Sequence, residues 1–307
     1  MKHYEPTTND SEDFKFKETL EILEEIADDV EKRDGTCKLP TKIKTLDKLI
    51  WGLHRKELLV LAARPSHGKS SLVHNIAINV SEEGAKTVIL SLEMSRQSVM
   101  EHLVCIKFGI HGFNLRTGVL EEKMKFMNAL SKVRTWLVQT PITIIDSQGK
   151  TIEEVRRVVK KLTPDVLMID HVQKIKSKGY PNKYEALADY VNSLQTVAIE
   201  NNLAVVLASQ INRTGAKDGN PMDNLKGSGD IEEAADTILT LKWIRKENLD
   251  YHDPTEYEIV CQKQKHGPTD KITINFNGAT FKFTDRFDNS KIPVTPNLTL
   301  KKDWNHD

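Results

Sequence analysis

The chain has 307 residues, 38% of them hydrophobic, enough to bury one substantial core, and the length permits one large domain or two small ones. Its 44 basic and 44 acidic side chains cancel, so bulk charge gives no footprint of a nucleic-acid partner and any such contact has to be local. Cys37, Cys105 and Cys261 are odd in number and far apart, which fits neither a disulfide framework nor a zinc site. The start is polar and acidic, and no apolar run is long enough to span a bilayer, so the expectation is a soluble cytoplasmic protein with no membrane partner.

Residues 1–12 read as a disordered leader. From Asp13 to Arg33 the apolar positions Phe16, Leu20, Leu23, Ile26, Ala27 and Val30 recur at helical spacing, which predicts an amphipathic helix stopped near Gly35. That helix cannot bury its stripe against itself; it packs on its own domain or docks on a neighbouring subunit. From Glu57 onward, short apolar runs alternate with helical patterns: ELLVLAA then SSLVHNIAINV, TVILSLE then RQSVMEHLVCIKF, TPITIID then TIEEVRRVVKKL, DVLMID then YEALADYVNSLQTVAIE, and LAVVLASQ. Alternation of this kind predicts an α/β fold, a mostly parallel sheet covered on both faces, with ligands at the carboxyl ends of the strands. Farther on, TILTLKW, YEIVCQKQ, KITINFN and ATFKFT are separated by turn residues such as His266-Gly267-Pro268 and Asn277-Gly278, predicting antiparallel hairpins that finish the sheet. The domain plan is a leader at 1–12, a linker helix and connector at 13–37, one catalytic domain at 38–287 and a loose tail at 288–307.

Ala63-Arg64-Pro65-Ser66-His67-Gly68-Lys69-Ser70, followed by Ser71, lies directly between a buried strand and an amphipathic helix. A phosphate-binding loop has to sit there, because backbone N–H groups and the helix N-terminus cradle phosphates. In that reading Lys69 neutralises the terminal phosphates and the Ser70 hydroxyl binds Mg²⁺. Ala63 replaces the first glycine of the strict pattern. His67 is read as a loop side chain rather than a base. Asp170 ends one strand and is the expected partner of Ser70 around Mg²⁺; Glu93 ends another and has the place of a general base for the attacking water. Gln210 ends a third as a γ-phosphate sensor.

In order and context, ARPSHGKSS, LSLEMS, DVLMIDHVQKI, VVLASQINR, DNLKGSGDIEEAADTILTL and QKQKHGPTD resemble the successive signatures of DnaB-like replicative helicases over about residues 38–285. The resemblance implies a RecA-like phosphate-loop core preceded by a linker helix. It also implies ATP and Mg²⁺ as cofactors, a homo-hexameric ring, movement of single-stranded DNA through the pore from 5′ to 3′, and a primase and a helicase loader as partners. Lys226, Gly227, Ser228 and Gly229 resemble the DNA-gripping pore loop, where glycines let the backbone approach and a lysine supplies charge. Lys174, Lys176 and Lys178 are a second basic run, either a pore contact made by Lys176 and Lys178 or a solvated charge run. Lys263 and Lys265 match the lysine and arginine that such proteins extend into the neighbouring subunit's site. At Lys265 the arginine is a lysine, which keeps the charge and loses the planar fork. About 37 residues precede the matched region, against a collar domain in bacterial members; either the chain is a compact member, as suits a phage, or a separate chain supplies the collar. The alternative is a ring that binds nucleotide and DNA, hydrolyses weakly and serves as an accessory or loading factor.

Overall fold

A computed structural model describes residues 23, 24, 26, 27, 37, 39–146, 151–171, 183–211, 228–247 and 253–286. The leader, the tail, Lys174, Lys176, Lys178, Lys226 and Gly227 lie outside them. The chain divides into two compact units, Met1–Cys37 and Lys38–Asp307. In the first, Leu23, Glu24, Ile26 and Ala27 are helical. Among the described residues no helix is long and apolar enough to cross a membrane.

The second unit begins with α1 (Lys44–Ile50), whose Leu46 and Ile50, four residues apart, are both buried. Asp47 fixes its start by accepting from the backbone N–H groups of Thr41 and Lys42 at 2.7 and 3.0 Å. There follow β1 (Leu58–Ala63), α2 (Lys69–Glu82), β2 (Thr87–Ser91), α3 (Arg96–Phe108), α4 (Gly112–Thr117), α5 (Leu120–Gln139) and β3 (Ile142–Asp146). Then come α6 (Ile152–Leu162), β4 (Val166–Asp170), α7 (Lys183–Glu200), β5 (Ala204–Gln210) and α8 (Ser228–Ala234). The chain closes on β6 (Thr237–Trp243), α9 (Ile244–Glu247), β7 (Glu256–Gln264), β8 (Lys271–Asn277) and β9 (Lys282–Asp285).

The strands form one sheet in the order β3-β2-β4-β5-β1-β6-β7-β8-β9. Pairings from β3 through β6 are parallel, and those from β6 to β9 are antiparallel, as the sequence pattern predicts. Alternation along a strand divides the core in two. In β1, Leu59, Leu61 and Ala63 join a cluster with Leu72 and Ile76 of α2 and Leu103 of α3. Leu58, Val60 and Ala62 face the other way, onto Val155 of α6, Leu194 of α7 and Ile231 of α8.

The β8–β9 turn reaches back over the first of these layers. Asn75 of α2, 3% exposed, donates to the Phe281 carbonyl at 2.8 Å and accepts from the Phe283 N–H at 3.1 Å. Phe281 stacks on His102 of α3 with ring centroids 3.9 Å apart, and a Cβ on Gly112 would collide with its ring. Glycine at 112 is therefore required by close approach. The turn thus clasps α2, α3 and α4 together.

Candidate active site

Each parallel strand delivers its chemistry to the same edge. Ser91 is level with Asp170 and Ala63 with Gln210 in the sheet register, and the Leu92 N–H donates to the Asp170 carbonyl at 2.6 Å. Glu93, Asp170, Gln210 and the 63–70 loop therefore stand side by side at the carboxyl ends of β2, β4, β5 and β1, the place where open α/β sheets bind ligands.

The loop is shaped for an anion. Gly68 precedes α2 with φ +75°, and a Cβ there would meet Phe283 at 3.2 Å, so glycine serves both the backbone turn and the packing. No side chain caps α2, and its first turn holds no acidic residue, which leaves the positive end of the helix available to phosphate oxygens. His67 is 3% exposed, and its Nδ1 accepts from the Trp243 N–H at 3.0 Å. Burial first, then the Lys246 and Arg64 cations, push its pKa down to about 4, so it is a neutral acceptor tying the loop to β6. Lys246 of α9 donates to the carbonyls of Pro65 and Ser66 at 3.1 and 3.4 Å, and Arg64 pairs with Glu247 at 3.3 Å. Sequence reasoning missed Lys246 and Glu247 because their reach to the loop exists only in the fold.

Lys69 donates to Asp170 Oδ1 at 2.6 Å, and Asp170 is 3% exposed. Burial works to raise the Asp170 pKa, but the Lys69 charge and hydrogen bonds from Lys69 and Ser70 outweigh it and hold the carboxyl below its usual range. A buried, ionised carboxylate beside a serine hydroxyl and an uncapped helix start is a donor set that suits Mg²⁺ together with phosphate oxygens. Among the described residues no group of three or more His, Cys, Asp or Glu could hold a metal unaided. Nδ1 of His171, a 5% exposed residue, lies 2.8 Å from Oε2 of Glu93. The sequence carried no signal for that contact, since it joins residues that follow two different strands.

Lys263 and Lys265 are elsewhere. Lys263 pairs in register with Ile238, and Leu59 with Thr237, which puts both lysines at the amino end of β1, across the sheet from their own loop. Lys263 Nζ donates to the carbonyls of Glu232 and Glu233 at 2.5 and 3.4 Å, and Lys265 Nζ to Asp236 Oδ1 at 3.2 Å. Of the expected DNA-contact residues, Ser228 and Gly229 open α8.

A family model for the DnaB-like helicase C-terminal domain matches residues 38–285. The replicative DNA helicase DnaB of Geobacillus stearothermophilus is 32% identical over 297 residues, with 91% of this chain and 64% of that protein covered. The replicative DNA helicase DnaC of Bacillus subtilis (strain 168) is 29% identical over 300 residues, with the same coverage. The chain thus spans under two thirds of the length of these relatives. Among solved structures, the ATPase domain of G40P superimposes with a TM-score of 0.79 at 22% identity, covering 88% of this chain and 99% of that one. A DnaB-like replicative helicase, studied with its interactions with primase, gives 0.77 at 23% identity, covering 87% and 68%. At those identities the structural likeness speaks for a shared RecA-like fold.

Proposed function

The chain belongs to the DnaB-like helicase C-terminal domain family, and on that premise we propose that it is the ATP-hydrolysing motor of a replicative DNA helicase. The observation that carries the reading is the single strand edge on which Lys69, Ser70, Asp170, Glu93 and Gln210 gather beside an anion-ready loop. The reaction is transfer of the γ-phosphoryl group of ATP to water. The loop and α2 hold the phosphates, and Lys69 leaves Asp170 for their oxygens. Glu93, which lies beside His171, takes the proton of the attacking water. Ser70 and Asp170 would hold Mg²⁺, which would supply positive charge to the phosphates. Gln210 senses the γ-phosphate and passes its state toward the residues after β5.

Hydrolysis is completed in trans in this proposal. Lys263 and Lys265 stand at the edge opposite their own loop, so the phosphates they neutralise belong to a neighbouring subunit, as in a homo-hexameric ring. Single-stranded DNA in the pore is gripped by Lys226, Gly227, Ser228 and Gly229 with Lys176 and Lys178, and moves 5′ to 3′. The 13–37 segment serves as linker to the next subunit, with residues 38–287 as the motor domain. A primase and a loader are proposed partners, and the cytoplasm, or a host's cytoplasm, the proposed location. The test is ATP hydrolysis by assembled rings with and without single-stranded DNA: stimulation supports the reading, and an unchanged rate with intact rings overturns it. The lysine at 265 favours a second reading, a weakly hydrolysing accessory or loading ring. Lys265→Arg separates them, since a large gain in turnover marks a muted site and a small one a working motor.

A further inference from the structure

Resting on the proposal that Lys265 acts in a neighbour's site, we infer that Asp236 is the positioning residue that aims it. The sheet register breaks between β6 and β7. Cys261 pairs with Leu239 and Lys263 with Ile238, so Gln262 is an extra residue in β7. Before the bulge, Tyr257, Ile259 and Cys261 alternate onto the layer of α2 and α3. One added residue reverses that alternation. Lys263 and Lys265 therefore turn to the opposite layer, where α8 and Ile238 lie. Without the bulge both lysines would continue the apolar row.

Once turned, the lysines meet fixed acceptors. Lys263 reaches the last carbonyls of α8, the negative end of a helix. Asp236 is 4% exposed and is held from several directions: its Oδ2 accepts from the Leu58 N–H at 2.9 Å, its N–H donates to the Leu58 carbonyl at 3.0 Å, and its carbonyl accepts from the Lys265 N–H at 2.9 Å. Its remaining oxygen, Oδ1, takes the Lys265 ammonium, whose side chain is 57% exposed. A buried carboxylate anchored to the first residue of β1 thus holds an exposed cation by both backbone and side chain. This limits the rotamers of a flexible lysine, which lacks the pre-organised fork of arginine. The same strand β1 ends in the subunit's own phosphate loop, so the lysine offered to the neighbour is referenced to the rigid strand that carries that loop.

The test uses the full-length protein and mixed rings. Asp236→Asn keeps an acceptor for the Leu58 N–H and removes the charge; turnover at saturating ATP should fall roughly fivefold, ~1 kcal/mol in barrier, with KM unchanged. Glu93→Gln rings should be inactive at their own sites while retaining a well-placed Lys265. Subunits of the two variants mixed before assembly should hydrolyse faster than the weighted sum of the separate rings, because an Asp236→Asn site then receives its neighbour's correctly held lysine. A mixture of Lys265→Ala with Glu93→Gln is the control for action in trans. If that control gains activity and the Asp236→Asn mixture does not, or if Asp236→Asn keeps full turnover, the inference falls. If neither mixture gains, action in trans falls and takes the inference with it. Should Asp236→Asn rings not assemble, Asp236→Glu, which keeps the charge and displaces the ammonium, is expected to give the same gain on mixing.

Discussion

Lys69 in this chain is committed to Asp170, and a bound nucleotide has to draw it away. Lys69→Ala should abolish measurable hydrolysis and weaken nucleotide binding, read by titration with a fluorescent ATP analogue. Glu93→Gln should bind nucleotide normally and turn over at least a thousandfold more slowly, a barrier of about 4 kcal/mol; normal turnover in either variant would remove it from the chemistry. His67 gives a pH prediction. Folded, its pKa is about 4, through burial and the Lys246 and Arg64 charges, against an ordinary 6.5. Between those values the unfolded chain binds the extra proton, so its contribution is complete above pH 6.5 and is lost as pH falls toward 4, by at most about 1.4 kcal/mol per pH unit. Denaturant unfolding at pH 7 and pH 5 measures this, and His67→Asn, which still accepts but does not titrate, should flatten that share of the slope.

At the scale of elements, the β8–β9 clasp on α2 is the feature to probe. Asn75→Ala leaves the Phe281 carbonyl and Phe283 N–H without their partner and should cost about 2–4 kcal/mol, seen as a lower unfolding midpoint; an unchanged midpoint would show that the clasp contributes nothing. The parallel strands were legible in the sequence because buried apolar runs such as LLVLAA and VLMID are short and bounded, and the strand ends then located Glu93, Asp170 and Gln210. Helices α4 and α5 have no counterpart in that reading. On α5 the apolar residues do not make one stripe: Val133 and Trp136 are buried while Leu120, Met124 and Met127 are exposed, so the helical period is blurred. The bulge at Gln262 and the grip of α9 on the loop were illegible for another reason. They depend on which strands become neighbours, and no local pattern encodes that.

For the whole molecule, the sheet separates two half-sites. One edge carries the 63–70 loop, Asp170 and Glu93; the other presents Lys263 and Lys265, so the proposed ring would bring the two halves together across a subunit boundary. Loss of residues 13–37, the proposed linker, should lower hydrolysis together with assembly, measured by light scattering, and a truncated chain that remains a fully active ring would show that the segment is dispensable. In the proposed function, chemistry at this edge drives movement along DNA. Strand displacement on forked DNA bearing a single 5′ or 3′ tail, with ATP and assembled rings, is the decisive measurement. Displacement of the 5′-tailed fork is expected to require ATP and to be lost in Glu93→Gln. Intact rings that hydrolyse ATP yet displace neither fork would contradict it.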